Sequence, residues 1–112
     1  MKLYTYDSAP NPARLKMFLD YKGIQLDTQQ IDMAKMEQHS PEYLAAVPEA
    51  TLPVLVLDDG TRITELIAIA HYLEATYPER PLLGVTAKDK AMILNWNHRL
   101  FQTVFSATAD AF

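Results

Sequence analysis

Apolar and polar positions divide this chain into short strands and amphipathic helices. Lys2 to Tyr6 alternates and is rich in strand formers, which predicts a first strand. Asp7 to Pro12 contains two prolines and reads as a loop, with Asn11 and Pro12 fitting a helix N-cap and first helical position. Leu15, Phe18, Leu19 and Lys22 then fall at helical spacing, and Gly23 suits the left-handed residue that ends a helix. Ile24 to Ile31 alternates less regularly and predicts a second strand. Asp32 to Ser40 is polar and reads as an irregular loop, after which Ser40-Pro41-Glu42 opens a short helix through Ala46.

The stretch from Val47 to Leu73 carries the densest information. Leu52 to Leu57 is a buried strand with its entry. Pro53 belongs at the strand's first position, because an interior Pro removes a ladder hydrogen bond. Asp58-Asp59-Gly60 supplies a hairpin turn, and Thr61 to Ile63 returns as a short strand. Thr64 reads as an N-cap and Glu65 as a first-turn acid on a helix running to about Tyr77, before Pro78. The order βαβ then αββα predicts an α/β fold: a four-stranded mixed sheet with helices on both faces, spanning 1–78. Residues 79–85 read as a linker by composition. Thr86 to Asp89 forms a variant capping box that opens a long amphipathic helix over 86–112, with Met92, Ile93, Trp96, Leu100 and Val104 at helical spacing. Trp96, Phe101, Phe105 and Phe112 lie on several sides of that helix, so it needs partners: the first domain, a second copy, or further helices.

Composition narrows the functions. The 112 residues carry a net charge of −4 and no basic cluster, so nucleic-acid binding has no electrostatic footprint. No apolar run is long enough to span a bilayer, and the chain's start reads directly into a strand rather than a signal peptide. A cytoplasmic protein is the simplest inference. The cysteine count is 0, which excludes disulfides and a cysteine nucleophile. His71 and His98 have no companions at metal-ligand spacing, so no metal is expected.

Pro48, Leu52-Pro53-Val54-Leu55, Asp59-Gly60, Glu65-Leu66-Ile67-Ala68-Ile69 and Tyr72-Leu73 stand in the order and spacing of a known motif. The chain resembles the glutathione S-transferase family in its N-terminal, thioredoxin-like, glutathione-binding domain, followed by the first helix of an incomplete helical C-terminal domain. Val47, Ala50 and Leu66 depart from the family's Asn, Gly and Ser. The resemblance implies a cis peptide at Leu52-Pro53, with the Leu52 backbone pairing to the cysteinyl part of glutathione as a miniature added strand. It implies that Glu65 meets the γ-glutamyl end. Leu66 lacks the family's hydroxyl but keeps a backbone N–H at a helix N-terminus, and the lost contact costs about 0.5–1.5 kcal/mol. Gln38 and His39 are candidates for the glycyl carboxylate, although each also reads as a solvated loop residue. For thiol activation Ser8 comes first, Asn11 second and Tyr6 third. Turn formation, helix capping and core packing are their respective alternatives.

The implied activity is attack of a glutathione thiolate, with glutathione as co-substrate, on a small electrophile, in a homodimer. A different class stays open: a non-catalytic module of the same fold used for dimerisation or protein binding. Leu66 and Ala50 favour that second reading, while Glu65, Leu52-Pro53 and the Ser8–Asn11 loop favour the first.

Overall fold

The first strand is the hub of the sheet. In the computed structural model, β1 (Lys2–Thr5) pairs in parallel with β2 (Asp27–Gln30) and antiparallel with β3 (Val54–Val56), which pairs antiparallel with β4 (Arg62–Ile63). The strand order is β2-β1-β3-β4. Four helices complete the chain: α1 (Pro10–Lys22), α2 (Pro41–Ala46), α3 (Leu66–Thr76) and α4 (Ala87–Ala111). The structure describes residues 1–111, and the side chains of residues 1–100. The expected contributions of Phe101, Val104, Phe105 and Phe112 lie outside the described side chains.

The mixed sheet with helices on both faces is as the hydrophobic pattern predicts, but several boundaries move. The strands are shorter than their apolar runs. Ile24 and Leu26 precede β2 and serve the core instead, and Leu52-Pro53 precedes β3 rather than opening it. Tyr6 lies just past β1. Asp32 to Ser40 holds two short 3-10 turns, Met33–Lys35 and Glu37–His39. Asp32 starts the first by accepting from the N–H groups of Ala34 and Lys35. Turn chemistry that is local was legible: Gly23 ends α1 at φ 69°, and Gly60 turns the hairpin at φ 88°.

Each face of the sheet has its own core. Under α1 and α3, Leu3, Leu15, Leu19, Ile24, Leu55, Ile69 and Leu73 form a wholly aliphatic cluster. Each such side chain gains about 1.5–3 kcal/mol from full burial. Under α2, Ile31, Tyr43, Val47, Leu52 and Val54 form a smaller one, flanked by Tyr4. Lys22 is a charged exception to apolar burial. Its Nζ donates to Glu74 Oε1 at 3.2 Å, to the Glu79 carbonyl at 2.8 Å and to the Arg80 carbonyl at 3.3 Å. All three ammonium donors are thereby used, the condition for burying an ammonium without large cost.

Contacts divide the chain into two units, Met1–Arg80 and Pro81–Phe112. In the second, the Thr86 hydroxyl accepts from the Asp89 N–H at 3.1 Å, the cap expected there. Gly84 is required beside it, at φ 93°, because a Cβ would come within 2.7 Å of the Lys90 nitrogen. No helix among the described residues is long and apolar enough to cross a membrane.

Candidate functional site

The strand register brings the candidate residues to one end of the sheet. β2 and β1 run in parallel, so the exit of β2 at Ile31 lies beside the exit of β1 at Thr5, and the Ile31 N–H donates to the Thr5 carbonyl at 2.8 Å. Because β3 is antiparallel to β1, with Val54 opposite Tyr4, Leu52-Pro53 enters the sheet at that same end. β4 runs antiparallel to β3, with Leu55 opposite Ile63, so the chain leaves β4 toward Glu65 at the end where β3 begins. The loop after β1, the entry to β3 and the start of α3 therefore converge, and Gln38 and His39 follow from the exit of β2.

The Leu52-Pro53 peptide is cis, and both residues are buried. Its approach is held by Tyr43, whose hydroxyl donates to the Thr51 carbonyl. Tyr43 is 4% exposed and packs edge-on against Tyr4, with ring centroids 5.5 Å apart and planes at 79°. Burial, the first cause, and the neighbouring Tyr4 and Glu49 push its hydroxyl well above the usual phenol range, so it stays a neutral donor. Sequence reasoning missed this anchor. The usable signal was its place at the third helical position after Ser40, whose hydroxyl caps α2 by accepting from the Tyr43 N–H at 3.2 Å.

Ala50 lies just before this segment at φ 55°, in the left-handed region. That explains the Gly common at this position in the family motif, since a Cβ there costs about 1–2 kcal/mol. The departure at Ala50 is thus first a backbone matter.

Two caps differ from expectation, and both differences affect candidate site residues. The N-cap of α1 is Ala9, not Asn11, and no side chain caps that end. Pro10 takes the first helical position, because its fixed φ suits it there. Asn11 sits inside the first turn, so capping does not occupy its carboxamide. Pro10 and Pro12 have no N–H, and the Ala13 N–H is spent on the Ala9 carbonyl at 2.9 Å. The Asn11 N–H is therefore the remaining backbone donor of this turn. Ser8 is exposed in the preceding turn, and Tyr6 is half-buried with its carbonyl accepting from the Ala9 N–H at 2.9 Å.

At α3 the N-cap is Glu65, not Thr64. Its backbone is extended, at φ −107° and ψ 132°, and its carboxylate makes no cap bond. The side chain is exposed, and the N–H of Leu66 opens the helix at a position where anions are favoured. The Leu66 side chain turns to the aliphatic core instead.

Gln38 and His39 part company. His39 is exposed, whereas Gln38 is 9% exposed with its Oε1 lacking a hydrogen-bond partner among the described residues. The reading of Gln38 as a solvated loop residue is therefore wrong: the 3-10 turn folds it inward. Such an acceptor is costly unless a donor reaches it. Among the described residues no group of three metal-ligating side chains occurs.

Comparison with known proteins agrees with this architecture. Residues 9–76 match the family described as glutathione S-transferase, N-terminal domain. The chain is 38% identical over 101 residues to "Glutathione S-transferase 2" of Saccharomyces cerevisiae, covering 88% of this chain and 43% of that protein. It is 34% identical over 86 residues to the maleylacetoacetate isomerase of Pseudomonas aeruginosa, covering 75% and 41%. The chain thus spans less than half the length of these two relatives. The crystal structure of Gtt2 from Saccharomyces cerevisiae superposes with a TM-score of 0.79 at 36% identity, over 91% of this chain and 50% of that one. A glutathione transferase homologue from Sulfitobacter, solved with bound glutathione, gives 0.82 at 26% identity, over 96% and 51%. By sequence and by fold, this chain belongs to the glutathione S-transferase family, of which it carries the N-terminal domain.

Proposed function

We propose that this chain binds glutathione at the convergent sheet end and that the protein transfers its thiolate to a small electrophile. The observation that carries the reading is the register, which brings the entry to β3 after Pro53, the exit of β4 toward Glu65 and the loop after β1 to one end of the sheet. The Leu52 backbone pairs with the cysteinyl unit, since an extended ligand gains affinity chiefly through main-chain hydrogen bonds. Glu65, uncommitted to its own helix, meets the γ-glutamyl ammonium, and the Leu66 N–H accompanies the adjacent carboxylate. The unpartnered acceptor of Gln38 suits a peptide N–H of the ligand, and His39 lies nearest in sequence for the glycyl carboxylate.

The thiolate lies at the start of α1. Ser8 donates its hydroxyl, and Asn11 offers both its carboxamide and the turn's remaining backbone N–H. Donors that favour the charged sulfur lower the thiol pKa. Tyr6 is the third candidate, and its half-buried position past β1 makes it the poorest placed. The electrophile is unassigned, because the relatives' names span both transferases and isomerases. We propose a homodimer and a cytoplasmic location on family resemblance.

One observation favours the non-catalytic alternative: Leu66 is committed to packing and offers the γ-glutamyl end no hydroxyl. Calorimetric titration with glutathione separates the two. Saturable binding that Glu65→Ala loses supports the proposal. No heat from folded protein at several millimolar glutathione overturns it for this chain. If glutathione binds, Ser8→Ala and Asn11→Ala identify the activator by the rise each causes in the bound thiol's pKa, read from thiolate absorbance.

A further inference from the structure

β2 and β4 are the edge strands of the sheet, and β2 is the longer of the two. β2 pairs with β1 on one side only. The parallel register, with Gln29 opposite Tyr4 and the Ile31 N–H bonded to Thr5, turns the backbone of Gln29 and Ile31 toward β1. The N–H and C=O groups of Thr28 and Gln30 therefore point away from the sheet. No backbone hydrogen bond to another segment covers them among the described residues. All four residues of β2 are exposed, and none is the Pro or Lys that commonly blocks such an edge.

A cleft lies on each side of this edge. The one on the α1 face, about 330 Å³, is lined by Thr28 and Gln30 together with Thr5, Asp7, Lys16 and Asp20. The one on the α2 face, about 390 Å³, is lined by Gln29 and Ile31 together with Tyr4, Tyr43, Glu37 and Glu42. The alternation of β2 thus assigns even-numbered residues to one cleft and odd-numbered residues to the other. A further strand laid on the edge would alternate its own side chains between the same two clefts, which is how strand addition combines main-chain affinity with side-chain choice.

We propose that the β2 edge docks an extended, basic segment of a partner protein as a fifth strand. The edge and its paired clefts set the mode, and charge selects the occupant. Asp7, Asp20, Glu37 and Glu42 line the clefts; of the cations beside them, Lys16 is bound to Asp20 at 2.8 Å and Lys2 lies over the Tyr4 ring, 5.0 Å from its centroid, so acid remains in excess. The surplus on the α2 face, Glu37 and Glu42, calls for Arg or Lys at every second position. On the α1 face the uncharged Thr5, Thr28 and Gln30 suit a small polar residue between them. A second copy of β2 is disfavoured, since it would bring these carboxylates against their own counterparts. Antiparallel addition, the more stable pairing, sets a small residue opposite Thr28 and Gln30, exchanging both backbone bonds with each.

The test is an amide-resolved NMR titration of the full chain with a blocked peptide alternating Arg and Thr. Its control is the same peptide with Pro for each Thr, which keeps the charge and removes those N–H donors. The expected result is saturable shifts centred on Thr28 and Gln30, with the Pro peptide at least about 10-fold weaker. Glu42→Arg, an exposed change, should weaken the Arg–Thr peptide about 3- to 10-fold. Equal binding of the two peptides, shifts scattered over the acidic surface, or no shift at several millimolar peptide would overturn the proposal. Shifts of Thr28 and Gln30 with protein concentration alone would also overturn it, because a second copy would then be the occupant. Glutathione plays no part in this experiment, so its outcome stands apart from that of the proposed transferase site.

Discussion

The two faces of the sheet solve different problems with different chemistry. Under α1 and α3 the core is aliphatic and interdigitated, and five of its members, Leu15, Leu55, Ile69, Leu73 and Leu3, are 3% exposed or less. Under α2 the core is thinner and contains a tyrosine whose hydroxyl holds the Thr51 carbonyl beside Leu52-Pro53. An aliphatic contact is non-directional and supplies stability. A hydrogen bond from a buried tyrosine is directional and sets the position of a backbone segment. One face thus keeps the domain folded, and the other fixes the segment on which a ligand would rest.

The comparison breaks most visibly at the aliphatic face. Leu73→Ala should lower unfolding free energy by about 2–5 kcal/mol, measured by urea denaturation, while the protein that remains folded keeps its glutathione affinity. A large loss of affinity in the folded fraction would show that the two faces are not separable. Lys22→Met should follow at about 3 kcal/mol, because it removes a buried ammonium that bonds Glu74 and the Glu79 and Arg80 carbonyls.

Tyr43→Phe sharpens the contrast. It removes one hydrogen bond and should cost only about 1 kcal/mol in stability. Calorimetry should nevertheless show several-fold weaker glutathione binding, because the approach to Leu52 is no longer held. An unchanged affinity would reduce Tyr43 to a packing residue. Ala50→Gly should stabilise by about 0.5–1 kcal/mol, the relief of a left-handed Cβ less the extra freedom of the unfolded chain.

The smallest effect is electrostatic. The Arg62 hydrogen bond holds the exposed Glu49 below its ordinary value of 4.5, and the Thr61 backbone N–H holds Asp59 below 3.8. A carboxylate with a depressed folded pKa contributes stability above its unfolded pKa and loses it as the pH falls through the folded one. The difference in urea midpoint between the wild type and Glu49→Gln should therefore be small at pH 7 and vanish as the medium is acidified below about 4.5. A difference that grew on acidification would contradict the pairing.

Local patterns were readable wherever one residue's own backbone preference decides. Gly23, Gly60, the Ser40 cap of α2 and the Thr86 cap of α4 all stand where the chain's residues place them. Caps failed where two candidates adjoin. Asn11 and Thr64 are good cap formers, yet Pro10 starts α1 two residues early and packing of Leu66 starts α3 one residue late. Strand ends failed because apolar runs continue past the last ladder partner, as Leu52 and Ile24 do into the two cores.

By itself the sequence determined the order of elements, the mixed sheet, the lack of a cysteine in this chain and the family motif from Pro48 to Leu73. These follow from periodicity, turn residues and residue identity, which are properties of neighbours along the chain. Only the tertiary structure decided that the Pro53 and Glu65 segments meet at one end of the sheet, that Tyr43 holds Thr51, that Gln38 turns inward and that Lys22 is buried with every donor used. Those depend on register and on which face of the sheet each segment covers, relations between residues far apart in the chain that no local preference encodes.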